Sequence, residues 1–123
     1  MAQPEHIVQV AIIKWLRAVM PKAIIQHSRN EHQKAGMAGM LAAQRGKSAG
    51  VLSGFPDLIV LPPAETGPFF LEVKAEKGTV SAVQKQVHTM LRGNGYRVAV
   101  VRSVDDVRAF LMEHQIRYNE VLQ

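Results

Sequence analysis

Apolar positions along this chain recur first at helical spacing, then as short unbroken runs, and then at helical spacing again. Between residues 4 and 19, Val8, Ala11, Ile12, Trp15 and Val19 mark the inward face of an amphipathic helix. Pro4 suits the first turn, Glu5 complements the positive end of the helix dipole, and Pro21 ends the helix. Residues 23–28, Ala-Ile-Ile-Gln-His-Ser, read as a short strand that opens a sheet. Leu58-Ile59-Val60-Leu61 and Phe69-Phe70-Leu71 flank a Pro- and Gly-containing stretch, Pro62 to Pro68, and read as two strands joined by a tight connection. A helix follows from Ser81, a favourable N-cap, with Val83, Val87, Met90 and Leu91 as its apolar stripe and Gly93 or Gly95 as its stop. Tyr96 to Val101 is a β-branched run, expected as a buried central strand. Ser103 caps a last helix over 104–113, with Asp105 and Asp106 in its first turn. Ile116, Tyr118, Val121 and Leu122 make the C-terminal residues too apolar for a free tail, so they are expected to pack on this domain or on a partner.

The order α-β-β-β-α-β-α places the chain in the α/β class, with a central mixed sheet flanked by helices. The strand–helix–strand unit over 69–101 implies a parallel, right-handed crossover. The hairpin carries charge where a buried strand ordinarily has none. If it is symmetric about Ala64 and Glu65, Leu61 faces Pro68 and Asp57 faces Glu72. Directly opposed side chains have Cβ atoms about 4.5–5.5 Å apart. Two carboxylates at that distance repel and raise one another's pKa. A shared hard divalent cation, Mg²⁺ or Mn²⁺, removes the conflict. Lys74 lies on the face of Glu72 because strand side chains alternate, and it is placed to hold a phosphate or an attacking water.

Residues 29–53 have a different character. Arg29, Lys34, Arg45 and Lys47 are basic, Glu31 is the only acid, and Gly36, Gly39, Gly46 and Gly50 interrupt any helix. The segment reads as a basic flap over a DNA backbone, each cation displacing a counterion; a solvated loop is the plainer alternative. Gly46-Lys47-Ser48 resembles the end of a phosphate-binding loop, but Leu41 stands where that motif requires glycine, which argues against a nucleotide cofactor. At 123 residues the chain is expected to be one domain, residues 1–123. A formal net charge of +5 favours a polyanionic partner. No apolar run is long enough for a membrane span, and the first residues lack the features of a signal peptide. The absence of cysteine fits the cytoplasm. The histidines His6, His27, His32, His88 and His114 show no zinc-ligand spacing and are read as non-ligands.

Gly54-Phe55-Pro56-Asp57-Leu58, then Glu72-Val73-Lys74, then Ser81-Ala82-Val83-Gln84 resemble the VRR-NUC family of the PD-(D/E)XK nuclease superfamily, over nearly the whole chain. The resemblance implies a stand-alone, restriction-endonuclease-like domain that hydrolyses phosphodiester bonds in DNA with Mg²⁺ or Mn²⁺. Asp57 and Glu72 would bind the metal, with the Val73 carbonyl as a further ligand. Lys74 would assist the chemistry, and Gln84 would line the site and orient a water or the scissile phosphate. An acid on the first helix completes the metal site in many members of the superfamily, and Glu5 matches it. Glu31 is a second candidate, and the plainer role of Glu5 is to offset the helix dipole. Stand-alone members are associated with four-way junctions, which implies a homodimer acting on branched DNA. The rival reading is a non-catalytic nucleic-acid-binding module of the same fold. A nuclease acting on RNA would use the same chemistry.

Overall fold

The computed structural model describes residues 3–28, 50 and 52–120. Its elements follow the expected order: α1 (Glu5–Val19), β1 (Ile24–His27), β2 (Leu58–Leu61), β3 (Phe69–Val73), α2 (Ala82–Gly93), β4 (Arg97–Val101) and α3 (Val104–Glu113). The strands form one sheet in the order β1-β2-β3-β4. β1 and β2 pair antiparallel, as do β2 and β3, whereas β3 and β4 run parallel through the α2 crossover. Leu58 pairs with Leu71, Ile59 with Phe70 and Val60 with Phe69, so the hairpin is symmetric about Ala64 and Glu65. Continuing that register by one residue sets Asp57 opposite Glu72.

Side-chain alternation divides the sheet into two unlike faces. Leu58, Val60, Phe69, Leu71 and Val73 join Val8, Ile12, Leu16 and Val19 of α1 and Val107, Phe110 and Leu111 of α3 in the main core. Each fully buried Leu or Ile there contributes about 1.5–3 kcal/mol. Phe70 and Glu72 point to the opposite face, beneath α2. There Phe70 meets Phe55 and Tyr96 edge-on, each at 5.7 Å between ring centroids.

Three sequence expectations change, and one left open is decided. In α1, Leu16 rather than Ala11 enters the core; Ala11 is exposed. Trp15 sits half-buried at the rim, its ring 5.6 Å from that of Tyr118 and beneath the Arg108 guanidinium. β4 is an edge strand and not a central one, because the chain leaves it for α3 and no further strand pairs with it among the described residues. In α2 only part of the expected stripe faces inward: Val87 is buried and Leu91 half-buried, whereas Val83 and Met90 are exposed and His88 is buried beside Val87. The C-terminal segment packs on its own domain: Ile116 is buried, and the Asn119 N–H donates to the Val19 carbonyl at 2.8 Å. Val121 and Leu122 lie outside the described residues.

Helix ends behave as their residues dictate. The Ser81 hydroxyl accepts from the Gln84 N–H while the Gln84 side chain accepts from the Ser81 N–H, a complete capping box. Ser103 caps α3 by accepting from the Asp106 N–H at 3.1 Å. α2 runs through Gly93, Asn94 forms its C-cap, and Gly95 turns the chain with φ +90°. Gly54, ahead of the Pro56-Asp57 pair, has φ +82°, and a Cβ there would stand 2.8 Å from the Val83 carbonyl oxygen. This glycine lets the entry to β2 run against the first turn of α2. Gly54→Ala should therefore lower stability by roughly 1–3 kcal/mol. Gly93→Ala, which meets open space without a positive φ, should be neutral or stabilising. Thermal melts of the two variants check this, and equal melting temperatures would contradict it.

Candidate active site

Asp57 stands at the entry to β2 and is tied to both neighbouring strands. Its carbonyl accepts from the Ser28 N–H at 2.7 Å, just past β1. Its carboxylate Oδ2 accepts from the Val73 N–H of β3 at 2.8 Å. The side chain thus continues the hairpin ladder, which fixes it beside Glu72. Glu72 is only 1% exposed, although it belongs to the most hydrophilic class of side chains.

Both oxygens of Glu72 are held from α2. Gln84 Nε2 donates to Oε2 at 3.3 Å, and His88 Nε2 lies 3.3 Å from Oε1. Lys74 Nζ is 3.9 Å from Oε2, on the same strand face. The Gln84 amide is engaged at both ends, its oxygen at the Ser81 cap and its nitrogen at Glu72. Its nitrogen thus helps to orient the Glu72 carboxylate. Arg102 closes the loop that leads from Lys74 to α2, donating through Nη1 to the carbonyls of Ala75 and Gly78, each at 2.7 Å.

Burial pushes the Glu72 carboxyl up to about 9, helped by a hydrogen bond with Asp57 and by the charges of Asp57 and Glu5; Lys74 opposes the shift. Glu5 is also raised, by burial first and then by Asp57, again against Lys74. Its carboxyl therefore lies within the electrostatic field of the pair. Among the described residues, however, no three acidic or histidine side chains form a preassembled ion cage. His88 is lowered by its own burial and by Arg92 and Lys74, against a smaller opposing effect of Asp57. With Glu72 raised and His88 lowered, their contact is a hydrogen bond between uncharged groups at neutral pH, and not an ion pair.

The structure thus brings together Asp57, Glu72, Lys74 and Gln84, includes Val73 through its N–H, and couples Glu5 through its charge. Arg29, Glu31, Lys34, Arg45 and Lys47 lie outside the described residues. His88 is the residue the sequence reading left out. The signal for it was its spacing, four positions after Gln84 and hence on the same side of the helix. Nothing local in the sequence marks Arg102, whose partners lie 24 and 27 positions earlier.

The electrostatics of Glu72 make stability depend on pH in a direction opposite to that of an ordinary ion-paired carboxylate. In metal-free protein its carboxyl titrates near 9 when folded, against an ordinary value of 4.5. Between these values the folded protein keeps a proton that the unfolded chain has released. The stabilising contribution is therefore complete below about pH 4.5 and is lost as the pH rises towards 9. Each pH unit in that window costs up to about 1.4 kcal/mol. Glu72→Gln, which cannot ionise, should remove this slope. Melting temperatures measured in EDTA across the window check it; identical slopes for the two proteins would contradict it.

Comparison with known proteins identifies the family and the fold. The VRR-NUC domain family model matches residues 2–105. Among solved structures, a protein described as a VRR_NUC domain protein superposes with a TM-score of 0.69 at 22% sequence identity, over 93% of this chain and 89% of that one. At that identity the likeness establishes the common fold. Comparison with curated proteins returns no match. With the family model spanning most of its length, the chain belongs to the VRR-NUC family of nuclease domains.

Proposed function

We propose that this protein is a Mg²⁺- or Mn²⁺-dependent deoxyribonuclease whose working unit is the whole domain, residues 1–123. The observation that carries the reading is the burial of Glu72 against Asp57, which pushes one carboxyl up to about 9. Two carboxylates so opposed are an arrangement that a cation stabilises, and their oxygens suit a hard divalent ion. The donor set therefore fits the metal that the family resemblance implies. Asp57 and Glu72 would hold it, with the Val73 carbonyl and Glu5 as further donors. Such an ion supplies Lewis acidity and charge neutralisation for phosphodiester hydrolysis.

The chain's own residues supply the remaining requirements. Gln84 holds one oxygen of Glu72, and the Val73 N–H holds Asp57, so both carboxylates are oriented before substrate arrives. Lys74 holds its ammonium beside Glu72, where it meets the negative charge that develops on the phosphate as water adds and the leaving oxygen departs. Arg29, Lys34, Arg45 and Lys47 would contact the DNA backbone. The same reading places the enzyme in the cytoplasm.

Asp57→Ala and Glu72→Ala should abolish Mn²⁺ binding in a calorimetric titration and remove EDTA-sensitive cleavage of labelled DNA. Lys74→Ala should keep the metal and lose roughly 10²–10³-fold in rate. Parent-like metal binding by the two carboxylate variants would overturn the site. Metal binding without cleavage of any nucleic acid would favour the non-catalytic module, and cleavage confined to RNA would move the substrate class.

We further propose a homodimer acting on branched DNA. One metal site cuts one strand at a time, and a two-fold dimer presents two sites to a substrate of matching symmetry such as a four-way junction. Light scattering should give twice the 13.6 kDa chain mass, with paired nicks on opposite junction arms. A monomer that cuts linear duplex as readily as junctions would overturn this second proposal and leave the first intact.

A further inference from the structure

Among the described residues, the buried polar or charged ones are Glu72 and His88, and they touch each other. Burying an imidazole costs free energy that an apolar side chain at the same place avoids, so its hydrogen bond must offset that cost. Its neighbour Val87 shows that an aliphatic residue fits this side of α2. Gln84 and His88 stand one helical turn apart, and each takes a different oxygen of the same carboxylate. A glutamate held by a single oxygen can still rotate about its last bond; held by both, it cannot.

We propose that His88 is a positioning residue for the metal site, donating through Nε2–H to Glu72 Oε1 so that the remaining lone pairs of the carboxylate are directed at the ion shared with Asp57. This inference rests on the metal-dependent reading above. A carboxylate that binds a cation is ionised and can only accept hydrogen bonds. His88 must then present a hydrogen on Nε2, which fixes its tautomer. Its Nε2 faces Glu72 at 3.3 Å, so that nitrogen is committed to the carboxylate and not available as a metal ligand. Partners of this kind, which orient a ligand without touching the metal, typically govern 10- to 100-fold in metal affinity.

The test uses the intact protein with Mn²⁺ or Mg²⁺ alone. His88→Leu removes the donor and keeps an apolar filling, whereas His88→Gln retains an N–H donor. In calorimetric titrations, Mn²⁺ affinity should fall about 10- to 100-fold in His88→Leu and recover most of that loss in His88→Gln. Thermal melts of the metal-free proteins report stability separately; a purely structural role would lower the melting temperature and leave the affinity of the folded protein unchanged. Imidazole ¹⁵N resonances of the parent, saturated with diamagnetic Mg²⁺, should show the Nε2–H tautomer of His88, a readout that does not depend on any variant folding. Parent-like Mn²⁺ affinity in a folded His88→Leu, or the Nδ1–H tautomer in the parent, would overturn the positioning role alone. A parent that binds neither ion would overturn the metal-dependent reading and the role of His88 with it.

Discussion

A carboxylate almost wholly withdrawn from water sets the terms for the rest of this structure. Glu72 occupies a position in β3 whose neighbours on the strand, Leu71 and Val73, are fully buried. A charge there is costly unless it is neutralised or paired. The surroundings answer that demand only in part: Gln84 and His88 hydrogen-bond to it from α2 and Lys74 approaches along the same strand, while Asp57 across the hairpin adds a like charge. In the absence of an ion, protonation is the remaining solution, which is why the carboxyl titrates so far above its ordinary range.

The same constraint explains the orientation of α2. A helix with valine, methionine and leucine on its surface would lower its free energy most simply by burying those side chains. α2 instead exposes Val83 and Met90 and turns Gln84, Val87 and His88 towards the sheet. Hydrogen bonds to Glu72 and the cap at Ser81 fix this rotation, and Gly54 permits the close approach at the helix start. The main core on the other face of the sheet is independent of it. There α1 and α3 bury an uninterrupted apolar surface, and that face supports the strands on which the polar constellation is held.

The apolar core and the proposed site therefore lie on opposite faces of one sheet. The α1–α3 side is apolar and specifies the fold; the α2 side carries the polar groups and the electrostatic conflict. Under the proposed metal-dependent function this division has a chemical reading, since a rigid scaffold can hold like charges together until a cation relieves them. The hydrogen bonds of Asp57 to Ser28 and Val73 and the Arg102 contacts with the β3–α2 loop serve the same purpose, fixing the carboxylates from their backbone side.

The sequence by itself determined the element order, the capping serines and the pairing of Asp57 with Glu72. These are legible because they are local: a cap depends on residues three positions away, and an antiparallel register follows from the midpoint of one short turn. The α1 face was legible to within one position, since Leu16 and Trp15 are adjacent and only packing against Tyr118 assigns the tryptophan to the rim. Tertiary structure alone decided that β4 lies at an edge, that Ile116 and Tyr118 fold back on their own domain, and that α2 turns its polar side inward. Periodicity reports where apolar surface is available for burial. It does not register one buried carboxylate, 12 and 16 positions away, whose hydrogen bonds to Gln84 and His88 outweigh that surface.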